Sequence, residues 1–139
     1  MKKILIAIVV IFVLLSNVDA EQNFSLLNYF SGEYYAYSLE QENSNSLYLG
    51  FCYETQDKVV NKKIGESIVV KNLEPIEAIN KLKAKIVKTE YLDDGTTVIY
   101  AYSSLINDRV EINDLVVNLQ IAHKQDYSVV GWPVILGSF

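Results

Sequence analysis

From Gly65 onward the apolar positions follow two different periods. The stretch "GESIVVKN" alternates weakly and is rich in Ile and Val, which predicts a strand. "LEPIEAINKLKA" then puts Pro75 at a first helical position, with Ile76, Ile79 and Leu82 recurring on one side, so a short amphipathic helix is expected. Lys81, Lys83 and Lys85 follow at its far end, where positive charge suits the helix dipole. "KIVKTEYLDDGTTVIYAYSS" reads as a hairpin turning at Asp94-Gly95. A two-residue loop there sets Asp93 opposite Thr96, and with it Tyr91 opposite Val98, Thr89 opposite Tyr100 and Val87 opposite Tyr102. Val, Thr and Tyr then share one face, while Lys88, Glu90, Ile99 and Ala101 take the other. "RVEINDLVVNLQIAH" makes a second hairpin at Asn113-Asp114, pairing Ile112 with Leu115 and Val110 with Val117, its apolar side continuing through Leu119 and Ile121. A three-residue turn, "KQD", returns the chain as "YSVVGW", with Tyr127 and Val129 facing His123 and Ile121.

Before Gly65 the pattern is looser. "FSLLNYFSG" has Phe24, Leu27 and Phe30 at helical spacing and reads as a short helix; "EYYAYSL" and "LYLGFCYE" read as two strands joined by the polar loop "EQENSNS". "TQDKVVNKKIG" is a connector or a frayed edge. The tail, "SVVGWPVILGSF", fits either a strand closing a soluble core or the last strand of a membrane barrel. Counting back from Phe139 by twos gives Gly137, Ile135, Pro133 and Gly131, which leaves Trp132, Val134 and Leu136 on the wrong parity for a lipid-facing strand, and Pro133 removes a ladder hydrogen bond. A bent final segment that packs on the same core, or follows the sheet edge, is the better reading. The expected class is therefore α+β: a short helix packed on a largely antiparallel sheet, in the order β-α-β-β-β-β from Gly65, preceded by a short helix and two strands.

The beginning of the chain changes the picture of where it acts. "MKKILIAIVVIFVLLSNVDAEQ" has two lysines, an apolar run from Ile4 to Leu15 and small residues at Val18 and Ala20. This predicts a signal peptide over residues 1–20 and a single α+β domain over residues 21–139, in a secreted or cell-envelope setting. The run is shorter than the roughly 20 residues that span a bilayer. An uncleaved anchor is the alternative, since residues up to Val18 lengthen the span. Cleavage after Ala20 leaves 139 − 20 = 119 residues, enough for one domain with a real core. The whole chain has 12 Lys and Arg against 17 Asp and Glu, a net charge of −5; without Lys2, Lys3 and Asp19 the balance is 10 against 16, or −6. An acidic chain with one Arg and scattered Lys lacks the basic patch that holds phosphates, so no nucleic-acid partner is expected. Attraction to an anionic membrane is disfavoured for the same reason, and no membrane partner is expected unless the first segment is retained. Cys52 is the only cysteine, so no intramolecular disulfide forms, and its place in "LYLGFCYE" suits a buried apolar residue better than a nucleophile.

The order strand, helix and antiparallel meander, together with "VEINDLVVNLQIA" followed by "VVGWPVI", resembles the end of the exported YwmB family of Gram-positive bacteria over about Gly65 to Ile135. That resemblance implies a fold of the TATA-box-binding-protein-like type, an extracytoplasmic location and no catalytic residue. The chain departs from the family in being much shorter and in its tight loop before Tyr127.

Candidate chemistry is sparse. Ser-His catalysis would need His123, the only histidine, which continues the parity of Val117, Leu119 and Ile121 and is read as a structural residue at a strand end. One His and one Cys far apart do not make a zinc site. Asp93-Asp94, Asn107-Asp108 and Asn113-Asp114 lack the alternate-residue spacing of a calcium loop and fall where turns are wanted. No metal and no cofactor are expected. What stands out is tyrosine, with 10 in the chain. Tyr34, Tyr35, Tyr37, Tyr48, Tyr53, Tyr91, Tyr100 and Tyr102 lie on expected strands or at their ends, either as a stacking platform for sugars or peptides or as fillers of the sheet-helix core. The candidate ligand-binding residues are Tyr91, Tyr100 and Tyr102, in a noncatalytic module that contacts another protein or a cell-wall polymer. The competing reading is a wall-acting hydrolase in which two carboxylates converge.

Overall fold

The computed structural model describes residues 24–43, 46–55 and 63–136, with side chains placed for 24–37 and 63–136. The expected signal segment, the connector after Thr55 and the burial of Cys52 lie outside those residues. Among the described residues nine strands and one α-helix are formed: β1 (Glu33–Asn43), β2 (Ser46–Thr55), β3 (Lys63–Lys71), α1 (Pro75–Lys81), β4 (Ala84–Tyr91), β5 (Thr97–Ser103), β6 (Val110–Ile112), β7 (Leu115–Val117), β8 (Leu119–His123) and β9 (Tyr127–Trp132). Seven of the strands make one sheet in the order β2-β1-β3-β9-β8-β5-β4, and every neighbouring pair is antiparallel. The class is thus α+β, a short helix with a mostly antiparallel sheet. The β3-α1-β4 connection carries the chain from mid-sheet to the far edge, and β5, β8 and β9 then fill the gap inward.

The alternation of side chains across these strands gives the sheet two buried faces. On one, Ile68, Ile99, Leu119, Ile121, Val130 and Trp132 meet Ala78 and Ile79 of α1 and Leu82 just after it, together with Phe24, Leu26 and Phe30. On the other, Tyr37, Ile64, Val98 and Tyr100 are covered by Val110 and Val117 of a separate β6-β7 ribbon and by Val134 of the tail. Burying both faces supplies most of the driving force, at about 25 cal/mol for each Å² of apolar surface removed from water.

Several local expectations change. The first predicted helix is only a 3-10 turn, Leu26–Asn28, capped by the Ser25 hydroxyl. In α1 the buried side belongs to Ala78, Ile79 and Leu82, while Ile76 is exposed. At about 100° per residue, the six positions separating Ile76 from Leu82 turn it well away from that side.

The hairpin at Asp94-Gly95 has a three-residue loop. Leu92 N–H donates to the Thr96 carbonyl at 2.9 Å, Gly95 N–H donates to the Leu92 carbonyl at 3.0 Å, and Gly95 takes φ 87°. A left-handed third loop residue marks a type I turn closed by a bulge, and glycine adopts it without steric cost. The extra residue slips the register by one: Tyr91 faces Thr97, Glu90 faces Val98 and Lys88 faces Tyr100. A second irregularity, between Ile86 and Lys88, leaves Ile86 opposite Ala101 and Lys85 opposite Tyr102.

The ribbon follows its expected pairing, Val110 with Val117 and Ile112 with Leu115. Asn113 and Asp114 both take positive φ, 49° and 66°, as a two-residue turn matching the strand twist requires. The strand does not run on from Val117, because Asn118 is buried and pulled inward. Its side chain accepts from Ser103 N–H at 2.7 Å and donates to the carbonyls of Ser103 and Ile106 at 2.8 and 3.0 Å. The turn before β9 is also shorter than "KQD": Lys124 N–H donates to the Tyr127 carbonyl at 2.9 Å, leaving only Gln125 and Asp126 between them, and His123 faces Ser128.

The chain turns back at the cis Trp132-Pro133 bond, and Val134 and Ile135 are buried on the face away from α1. The Gln120 side chain holds the tail by accepting from Ile135 N–H at 2.7 Å. Gly131 leaves room for it, since a Cβ there would lie 2.8 Å from Ile135 Cγ1 and 3.0 Å from its Cα.

Candidate functional site

Strand β4 is the outer strand at one end of the sheet, so one row of its backbone N–H and C=O groups has no partner strand among the described residues. Large apolar side chains stand in the open on it and beside it: Ile86 is 49 % exposed, Tyr91 81 % and Tyr102 37 %, with Val87 and Val116 similarly placed. Isolated exposed hydrophobics are ordinary; several along one open edge mark a contact surface.

The three candidate tyrosines do not form a single platform. The register slip puts Tyr91, opposite Thr97, on the α1 side of the sheet, while Tyr100 and Tyr102 point to the ribbon side. Tyr91 and Tyr102 are accessible. Tyr100 is only 6 % exposed and packs with Val98, Val110 and Val117, where burial above all, and then the Glu90 charge, push its phenol up from the ordinary range against an opposing hydrogen bond from Gln120. Tyr34 and Tyr37 are likewise buried, so the core claims three of the tyrosines. The side chains of Tyr48 and Tyr53 lie outside the described residues.

Beside Tyr100 the ribbon does not close completely on the sheet. A cavity of about 30 Å³ is lined by Lys88, Glu90, Tyr100, Ile112, Leu115 and Val117, with Asn113 at the ribbon turn. Its walls are mainly aliphatic and aromatic, and Lys88 and Glu90, joined by a 3.1 Å ion pair, form its rim on the β4 side.

His123 sits at its strand end as expected. Its Nδ1 lies 2.8 Å from Ser128 Oγ, and that hydroxyl donates to the Leu73 carbonyl at 2.7 Å. A carbonyl only accepts, so the one hydroxyl proton is committed and Nδ1 carries the hydrogen that bonds Ser128. Nε2 faces the Glu74 carboxylate at 3.9 Å. The Ser-His-Glu grouping does not build a nucleophile, because the Ser128 hydroxyl is fully buried and turned toward a backbone carbonyl. Nearby, Asp94 accepts from Thr96 N–H at 2.9 Å, which holds its carboxyl below the ordinary range, and Lys124 Nζ lies 3.6 Å from the same carboxylate. Among the described residues no group of three or more His, Cys, Asp or Glu could hold a metal ion.

Sequence reasoning passed over Glu66, whose side chain is fully buried in the middle of the sheet. Its Oε1 accepts from Leu26 N–H at 2.9 Å and Trp132 Nε1–H at 2.5 Å; its Oε2 accepts from Ser25 Oγ at 2.8 Å, Lys63 Nζ at 3.1 Å and the Tyr34 hydroxyl. Burial first, then the hydrogen bond and charge of Glu66, raise Tyr34 well above the ordinary phenol range. A carboxylate so fully engaged by donors is an architectural joint between the N-terminal segment, β1, β3 and β9. The signal available in the sequence was parity, since Glu66 shares the face of Ile68.

Among the described residues no helix is long and apolar enough to cross a membrane. No family model, no curated protein and no solved structure matches this chain, so the fold and the edge of β4 carry the functional reading by themselves.

Proposed function

We propose that this protein is an exported, noncatalytic binding module of the cell envelope or extracellular space, and that it engages a protein or wall polymer along β4. The observation that carries the reading is the run of exposed apolar side chains at an unpaired sheet edge, Ile86, Val87 and Tyr91, with Tyr102 on the adjacent strand. An open edge offers main-chain hydrogen bonds, and the side chains flanking it add apolar contact. In this reading Tyr91 and Tyr102 are contact residues on two sides of one edge, while the buried Tyr100 forms part of the floor between the sheet and the ribbon. The export pattern of the first residues and the resemblance to the YwmB family support the extracytoplasmic setting.

The reading is tested by placing a photo-crosslinking residue at Tyr91, at Tyr102 and at Lys71, a control on β3, in cells that make the full chain. Discrete adducts from the first two positions and none from Lys71 are expected. No adduct at either tyrosine, or the same adducts from all three, overturns it.

A further inference from the structure

We propose that β4 receives an extended acidic peptide as an eighth strand of the sheet, with one aliphatic side chain seated in the cavity beneath the ribbon. This rests on the binding-module reading and names its partner class. Three observations converge. The first is the unpaired backbone of β4, whose neighbours in the sheet lie on one side only. The second is charge: the segment from Lys81 to Tyr91 contains Lys81, Lys83, Lys85 and Lys88 against Glu90 alone, in a chain whose net charge is −5. Lys85 and Lys88 face the same side as Tyr102 and Tyr100, as does Glu90, which pairs with Lys88; an acidic side chain on that side of an added strand meets Lys85 directly and competes with Glu90 for Lys88.

The third is the cavity, which opens between the ribbon and the rim formed by Lys88 and Glu90. Its volume of about 30 Å³ suits the branched end of one Val, Leu or Ile side chain, at about 10–15 Å³ for each water-sized group. Strands in a sheet lie about 4.8 Å apart and alternate their side chains. A residue one strand beyond β4 therefore reaches that mouth from the ribbon side, while its neighbours point to the α1 side beside Ile86 and Tyr91. Backbone pairing supplies general affinity and the pocket supplies selectivity.

Lysines on an edge also discourage self-pairing, and here they do so: a second copy would bring two segments with the same excess of positive charge side by side. That protective role leaves the exposed Ile86, Val87 and Tyr91 and the adjoining cavity without a use, whereas an acidic strand uses all of them.

The test is amide hydrogen exchange and chemical-shift titration of the purified protein with an eight-residue peptide, the length of β4, whose alternate residues on one face are Val and Glu together and whose other face is Thr. Protection of alternate β4 amides and shifts at Tyr100 and Leu115 are expected, and the Lys85→Glu/Lys88→Glu variant should bind at least about tenfold more weakly. Equal binding of the same peptide with Lys in place of every Glu overturns the charge assignment. Equal binding of the Val and Glu peptide after N-methylation of its backbone overturns strand addition. Protection of β4 that rises with protein concentration in the absence of peptide assigns the edge to a second copy instead. If no peptide binds while the crosslinks at Tyr91 and Tyr102 persist, this inference fails and the broader reading stands; loss of the crosslinks as well removes both.

Discussion

Glu66 and Trp132 lie directly opposite each other on β3 and β9, and the indole N–H of Trp132 donates to the Glu66 carboxylate at 2.5 Å. The same carboxylate accepts from the backbone of Leu26, so a single buried charge ties the N-terminal segment to the centre of the sheet. Replacing Glu66 with Ala strands the donors of Trp132, Leu26 and Tyr34 in the buried interior. A loss of about 3–5 kcal/mol is expected from urea denaturation, and Lys63→Met, at the partly exposed end of the pair, should cost less. A Glu66→Ala protein as stable as the parent would show that the network contributes nothing net.

Tyr34 and Tyr100 give the protein an alkaline limit. Both phenols are raised above their unfolded value of about 10, mainly by burial, so the folded state holds these protons more tightly than the unfolded chain. Their contribution is complete below pH of about 10 and declines as the pH rises beyond it, when the unfolded chain ionises first. Denaturation midpoints measured from pH 8 to 11.5 should fall at the upper end, with a shallower fall in Tyr34→Phe. A flat profile in the parent protein contradicts the assignment.

Asn118 is matched to its site atom by atom, with one acceptor for Ser103 N–H and two donors for the carbonyls of Ser103 and Ile106. Asn118→Asp preserves shape and removes both donors, setting a carboxylate against two carbonyl oxygens. A destabilisation of about 3 kcal/mol or more is expected at neutral pH, partly recovered on acidification as the carboxyl regains a proton. Equal loss at pH 4 and pH 7 would mean that charge is not the cause.

Gly131→Val tests the path of the tail. The added Cβ would lie 2.8 Å from Ile135 Cγ1, so Val134 and Ile135 must lift away, at a cost of about 1–3 kcal/mol. Faster proteolysis after Trp132 in this variant is the readout; unchanged proteolysis and stability would place the tail elsewhere.

The start of the mature chain is set by intact mass. A product beginning at Glu21, recovered from the medium, is expected. Full-length mass found only with membranes would instead identify a retained anchor.

What could be read in the residues depended on how local the determining interaction was. The ribbon register was legible because Asn113-Asp114 leaves one short turn compatible with the strand twist. Asp94-Gly95 serves both a two-residue and a three-residue loop, and the difference of one residue decided which face Tyr91 joins. The three tyrosines were therefore found as strand residues but not as a group in space. Glu66 was hidden for a different reason: its partners Tyr34, Leu26 and Trp132 stand 32, 40 and 66 positions away, and a lone acid in a strand gives no sign of donors that distant. The edge site lay between these extremes, its lysines visible as a run but its outer position fixed only by the strand order.

The place of β9 between β3 and β8 has a consequence for biogenesis. Among the described residues it is the last strand in chain order, yet it joins the sheet's two halves, β2-β1-β3 and β8-β5-β4. A ribosome delivers it after the other described strands, so the halves have no hydrogen-bonded bridge until it emerges. Assembly dominated by such late, non-local pairing is slow. Until β9 arrives, the inner edges of β3 and β8 stay unpaired.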